Sequence, residues 1–329
     1  MEDSLAEQPR FSYGGQAVIE GVMIRGRNHF SLAVRRQDGT IEHHSEVLNS
    51  LYTGRMRQFP LIRGFIALVE TMVLGIKALH LSANMAVKDQ AGEEGGEIPS
   101  WLLGATLAAA MVMGIGVFFM LPLLIIWLLD SGGIVSELIE GGLRLGLLVG
   151  YIWGISFLRD IKRVFAYHGA EHMAVHTYEA GLPLIVENVR KFPTPHPRCG
   201  TAFLLTVMLV SIVVFALLMD PPMEWRIISR IVLIPVIAAI SYEIIRFSGK
   251  HQDSLLGHAV AWPGLLLQRL TTRIPDDDQI EVAISAMQGA VAADEGREYS
   301  VTFKPRIEES LDTSNPAVGS SPETHGGES

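Results

Sequence analysis

Residues 101–129 contain no Asp, Glu, Lys or Arg until the last position is passed, and almost every side chain among them is apolar. Such a run exceeds the ~20 residues that a helix needs to cross a bilayer. A helix buried in a soluble core is rarely so long and so uniformly apolar, so the rest of the chain is read around a membrane span. Composition agrees: of 329 residues only 19% are charged, against 49% hydrophobic, and the mean hydropathy is +0.30. A soluble domain carries about 25% charged residues. The formal net charge of −9 lies largely in tails and one linker, so it points to no nucleic acid or other charged partner. Residues 1–10 are polar and lack the apolar core of a cleavable signal peptide. The single cysteine, Cys199, excludes an intrachain disulfide and fits a reducing cytoplasm.

Three further spans follow from the same pattern. Residues 143–158 carry Gly146, Gly150 and Gly154 four apart, a spacing for close helix packing. Residues 201–219 form the third span and 227–245 the fourth, the latter interrupted by Arg230 and Pro235. Residues 255–270 include His258 and Pro263 and read as an interfacial or re-entrant helix. In the helix expected at 61–88, residues 61–87 are apolar except for a stripe of Arg63, Glu70, Lys77 and Asn84, spaced by sevens, with His80 nearby. Seven residues are nearly two helical turns, so these groups share one face, and the helix is expected to lie in the membrane interface. The loop 130–142 has three acids and no Lys or Arg, whereas 159–200 holds Arg159, Lys162, Arg163, Arg190, Lys191 and Arg198. The positive-inside rule then places the 159–200 loop and both termini in the cytoplasm, in a multi-pass protein of the cell membrane.

Ahead of the spans, residues 13–60 form a small β-containing cytoplasmic domain. Four glycines punctuate short β-branched runs between Tyr13 and Gly26, which favours turns over a regular helix. Residues 30–36 and 40–48 alternate like strands around Asp38-Gly39, a hairpin signal. Residues 1–12 read as a disordered tail and 89–100 as an acidic, Gly-rich linker. Residues 246–293 form a cytoplasmic or interfacial helical segment. Within it, 271–279 is a turn and cap with Asp at the positive helix end, and 279–293 a short amphipathic helix. Residues 294–329 are a tail, mostly disordered. The fold class is mostly α: a polytopic helical membrane protein with about four spans, interfacial helices and the small β-containing segment.

The chemistry is concentrated in one loop. Tyr167-His168-Gly169-Ala170-Glu171-His172 contains H-x-x-E-H, the order of inverted zinc-protease helices. On a helix His168 and His172 stand one above the other, placed to ligate one metal, with Glu171 beside them as a general base. The plainer alternative is a pair of surface histidines that cap or pair with Glu171. His196-Pro197-Arg198-Cys199 then sets an imidazole and the only thiol three residues apart. Zinc favours Cys and His, and a catalytic site takes three protein ligands; the competing reading makes Cys199 a small buried hydrophobe. Gln16, Glu20 and Arg25 in the Gly-rich segment lie on the same side of the membrane and are candidates for site support, as is Arg198. The metal is expected to be divalent, zinc by its ligands, held by His168, His172, His196 and Cys199.

Four motifs together resemble a known family. They are 13–23 (YGGQAVIEGVM), 167–172 (YHGAEH), 196–201 (HPRCGT) and 270–273 (LTTR). They look like signatures of the YqhQ-like family, bacterial integral membrane proteins of unknown function described as predicted metal-dependent enzymes. The likeness runs from about Tyr13 to Met287. It implies a metal but no substrate or reaction. His176 shares the helical face of His172 but is outside that family's pattern; Glu179 is nearer to it and stays a spare acidic ligand. Two readings result. In one the chain is a zinc-type hydrolase at the cytoplasmic membrane surface, acting on an unknown substrate, with Glu171 activating water. In the other it is a non-enzymatic scaffold, assembly factor or transporter with a structural metal or polar network. The bilayer is the expected partner in both, with a protein partner or a homo-oligomer left open.

Overall fold

Short turns fold the glycine-rich N-terminal stretch into strands. The computed structural model describes residues 11–91, 98–129, 133–218, 222–251 and 254–300. Residues 1–10 of the expected N-terminal tail, 92–97 of the expected linker and the C-terminal tail beyond 300 lie outside them. Strands β1 (Gly14–Val18), β2 (Gly21–Arg25), β3 (His29–Arg35) and β4 (Ile41–Val47) form an antiparallel meander in sequence order. Glu20 closes the first turn at φ +50°, and Gly39 the third at φ +85°. Asp38 braces that last turn by accepting from the Thr40 N–H at 2.9 Å. Successive strand side chains point to opposite faces, and here both faces are buried. Val22, Ile24 and Ala33 belong to one core, whereas Met23, Phe30, Leu32 and Val34 belong to the other.

Two layers of helix cover those faces. After the short α1 (Ser50–Thr53), helix α2 (Ile62–Ala91) lays Leu74 and Ala78 on the second core. Its polar stripe is fully used: Arg63 pairs with Glu243, Glu70 with Arg25, Lys77 with Glu46, and Asn84 Oδ1 accepts from the Ile98 N–H. The opposite face is covered by α12 (Asp277–Asp294), started by an Asp276–Gln279 capping box. The short amphipathic helix expected at 279–293 is instead buried nearly all round, with Ile280, Val282, Ala283, Ile284, Ala286, Met287 and Ala290 at most 1% exposed. The reason is that α12 is wedged between the sheet and helix α6 (Arg159–Glu179). Its small residues allow that approach: a Cβ on Gly289 would stand 2.0 Å from His43 Nε2.

Among the described residues three helices are long and apolar enough to cross a membrane: Ile62–Asp89, Trp101–Leu128 and Gly133–Ile155. The second comprises α3 (Ser100–Ile115), a π turn and α4 (Leu121–Leu128); the third is α5 (Gly133–Ile155). A fourth is the pair α9 (Met223–Val232) and α10 (Ile234–Lys250), bent by 46° at the break before Pro235. The expected span at 201–219 is α8 (Gly200–Ala216), apolar but only 17 residues long. It packs on α5, α10 and α11 (Leu255–Thr271). The first 28-residue helix passes the same length test, although its second half covers the sheet.

Two expectations need correcting here. The acid-rich loop expected at 130–142 is helical from Gly133 onward, and Glu137 and Glu140 are at most 3% exposed. Arg226 Nη2 donates to Glu137 at 2.9 Å, Arg230 Nη2 reaches Glu137 at 2.7 Å and Glu140 at 3.0 Å, and Arg144 pairs with Glu140. These acids are held between helices, because Arg226 and Arg230, 89 and 93 residues beyond Glu137, return to meet them. The second correction concerns Gly146, Gly150 and Gly154. A Cβ at any of them would meet nothing within 4 Å among the described residues; close approaches between the apolar helices occur instead at Gly64, against Ala239, Gly141, against Ile212, and Gly264, against Ala202.

Candidate metal centre

The centre begins with a helical stripe. On α6, residues 168, 172, 176 and 179 follow one another at spacings of four, four and three, so their side chains share a face. The chain then turns through α7 (Val186–Val189) and returns along 193–199 beside that face before Cys199 caps α8. Cys199 Sγ accepts from the Thr201 N–H at 3.4 Å and lies 3.1 Å from His168 Nε2.

Both leading imidazoles are held in one tautomer by backbone carbonyls. His168 Nδ1 lies 2.8 Å from the Thr271 carbonyl oxygen and His172 Nδ1 lies 2.5 Å from that of Thr194. A carbonyl only accepts, so each Nδ1 carries the hydrogen and each Nε2 keeps its lone pair. This is the arrangement by which proteins orient imidazole ligands from behind. One ligand atom each from His168, His172 and Cys199 lie within 4.8 Å of one another. The donor set is that of zinc: two imidazoles and a thiol.

Glu171 points off this face toward the N-terminal sheet. Its Oε1 accepts from the Gly15 N–H at 2.9 Å, while Oε2 is buried and has no partner among the described residues. Burial raises its carboxyl above the ordinary carboxylate range, against the opposing pull of His168, His196 and the Gly15 N–H. Burial likewise lowers His172, which Cys199 partly offsets. A cavity of about 40 Å³ joins these groups, lined by Tyr13, Gly15, Glu171, His172, His196 and Cys199. That space holds one or two waters.

His196 stands apart from the trio it was expected to complete. Gln268, fully buried, clamps its backbone: the His196 N–H donates to Gln268 Oε1 at 2.7 Å, and Gln268 Nε2 donates to the His196 carbonyl at 2.9 Å. The ring turns toward Glu179, with Nε2 3.4 Å from Oε2. His176, Glu179 and His196 therefore form a second group of three donors within 4.8 Å of one another. Burial pushes both His176 and His196 down to about 4, so both are neutral at pH 7. Arg198 pairs with the other oxygen of Glu179.

The remaining candidates for site support lie elsewhere. Glu20 binds Arg163 and accepts from Tyr167 Oη at 3.1 Å; Arg25 binds Glu70; Gln16 lies against Gly75 of α2. These three fasten the sheet to its covering helices, and it is the neighbouring Gly15 that reaches Glu171. His251, another polar group on the expected cytoplasmic side, is exposed and bonds within its own helix end, to the Phe247 carbonyl at 2.9 Å. Gln252 and Asp253 lie outside the described residues. The spacing places His176 on the face of His172, and only its absence from the family's pattern kept it out of the expected ligands. The sequence carries no signal for Thr194, Gln268 or Thr271, which act through backbone or from a distant helix.

A family described as "Protein of unknown function (DUF1385)" matches residues 59–293. The chain belongs to the DUF1385 family. The "Uncharacterized protein YqhQ" of Bacillus subtilis (strain 168) is 36% identical over 293 residues, covering 84% of this chain and 91% of that protein. No solved structure matches. The DUF1385 match includes both donor groups and all the apolar helices; membership brings no activity with it.

Proposed function

We propose that this DUF1385 protein is a multi-pass protein of the cell membrane that holds a divalent metal, zinc by its donors, and acts as a metal-dependent hydrolase at the cytoplasmic surface. The observation that carries the reading is the convergence of His168, His172 and Cys199 ligand atoms, with both imidazoles locked from behind by carbonyls. Three protein ligands beside a small cavity leave a position open, as catalytic rather than structural sites do. A cation there would supply Lewis acidity toward a substrate carbonyl and toward water. The chain's own residues do the rest. Thr194 and Thr271 fix the rings, and Tyr13 and Gly15 cover the cavity. Glu171, its Oε2 unpartnered, accepts a proton from water; its raised pKa suits it to return that proton to a leaving group. Amide or ester bonds fit this chemistry. The Lys and Arg of 159–200, and the α8 and α11 helices leading from the site, support a position at the inner membrane surface.

The buried cluster of Arg144, Arg226, Arg230, Glu137 and Glu140 favours a second reading, an assembly factor or transporter with a structural metal, since ionisable groups inside apolar helices often serve function. Metal analysis of the detergent-purified chain beside His172→Ala, with hydrolysis of ester and peptide panels, tests both. The hydrolase reading expects Glu171→Gln to keep the metal and lose turnover. Metal content in the His168→Ala/His172→Ala double variant equal to that of the wild type refutes the centre. Metal lost in Glu171→Gln moves Glu171 among the ligands and favours the structural reading.

A further inference from the structure

We infer that the chain carries a second divalent-cation site, built by His176, Glu179 and His196, next to the first, so that the centre holds a pair of cations. This rests on the proposed metal centre and extends it. One ligand atom each from the three residues lie within 4.8 Å of one another, and two imidazoles with one carboxylate are an established catalytic donor set. The gap between His196 Nε2 and Glu179 Oε2 is 3.4 Å, longer than a good hydrogen bond. Two metal–ligand bonds of ~2.1 Å drawn across that gap meet at about 110°, the tetrahedral angle. A cation there calls for little movement of either side chain, but it displaces a hydrogen: the Arg198 N–H donates to His196 Nδ1 at 3.3 Å, so in the ion-free ring Nε2 carries the proton.

The surroundings hold His176 and Glu179 as metal ligands are held. The Pro195 carbonyl lies 2.9 Å from His176 Nε2, so that nitrogen carries the hydrogen and Nδ1 keeps its lone pair. Gln268 fixes the backbone of His196 from both sides. Arg198 takes Glu179 Oε1, which orients the carboxylate and leaves Oε2 for the cation. The two donor groups meet at the His172–His196 ring pair, with centroids 5.6 Å apart, and both border the cavity that Glu171 lines. Paired cations beside one cavity act together on a substrate's attacking and leaving oxygens. With a carboxylate in place of the thiol, the second site is the harder of the two and accepts Mn²⁺ or Fe²⁺ more readily than the first.

The test uses the full chain in detergent, loaded with Co²⁺ and, separately, titrated with Mn²⁺. The wild type is expected to take up about two Co²⁺ per chain, with a thiolate-to-cobalt charge-transfer band from the Cys199 site alone. Glu179→Gln and His176→Ala should each lose about one equivalent and keep that band, whereas Cys199→Ser loses the band and keeps the Mn²⁺ site. Glu179 is 30% exposed on its side chain, so Glu179→Gln is the variant least exposed to a folding defect. Mn²⁺ paramagnetic resonance on the wild type, showing histidine nitrogen coupling, reads the site without any substitution. One equivalent in the wild type, unchanged in Glu179→Gln and lost in Cys199→Ser, overturns the second site and leaves the first standing. One equivalent lost in Glu179→Gln and kept in Cys199→Ser upholds the second site and sinks the first. No bound metal in the wild type refutes both.

Discussion

Gly169→Ala would test whether α6 and the 271–273 segment are packed as tightly as the centre requires. Gly169 lies between His168 and the core residue Ala170, and its ideal Cβ would stand 2.2 Å from the Arg273 carbonyl oxygen and 3.1 Å from Thr194 Cγ2. Ordinary non-bonded contact is about 3.5 Å, so the two backbones must part by roughly 1 Å. They are tied together on either side, by Arg273 N–H donating to the Phe165 carbonyl at 2.9 Å and by His168 to Thr271 at 2.8 Å. Overpacking costs about 1–3 kcal/mol, and a clash with main chain belongs in the upper half of that range. Alanine returns ~1 kcal/mol as a better helix former. The net is a loss of roughly 1–2 kcal/mol, or about 2–8 °C in a thermal melt. The displaced carbonyls of Thr271 and Thr194 also stop orienting the two histidines, which lowers metal affinity about 10–100-fold. Thermal unfolding in detergent and competitive Zn²⁺ titration read the two effects. A Gly169→Ala protein that melts at or above the wild-type temperature and binds metal equally would refute the packing argument.

Removing one member of the buried ion cluster, as in Glu140→Gln, leaves Arg144 and Arg230 short of a carboxylate and should cost about 3–5 kcal/mol; an unchanged melting temperature would show that water reaches the cluster. His43 gives a pH signature: its ring faces Ser31 Oγ at 2.7 Å, and burial, with His44 adding, pushes it down to about 4. The unfolded chain titrates near ~6.5 and so binds the extra proton between the two values. The stability His43 contributes is complete above that upper value and is lost as pH falls toward 4; His43→Gln should flatten this limb of a stability–pH curve, and an unaltered limb would assign it to other groups. Reporters fused after Leu129 and after Glu179 should report opposite sides of the membrane, and the same side for both would overturn the span assignment.

What the sequence determined by itself was whatever local periodicity and turn chemistry dictate. The apolar run at 101–129, the Asp38-Gly39 hairpin, the Asp276 cap and the helical stacking of His168 on His172 all depend on neighbours within a few residues. The seven-residue stripe on α2 was legible too, as a polar face, but its partners Glu243, Arg25 and Glu46 were not. Tertiary structure decided the rest because the deciding contacts join residues far apart in the chain. It turned Glu137 and Glu140 from loop acids into partners of Arg226 and Arg230, and it surrounded α12 with sheet and helix. It also divided the expected four-ligand set, giving Cys199 to His168 and His172 and turning His196 toward His176 and Glu179. A side chain's spacing on a helix fixes the face it occupies; which return strand reaches that face, and at what height, is set by the path of the chain between them. Gln268 clamps His196 across 72 residues of sequence, and local pattern carries no information over such a distance.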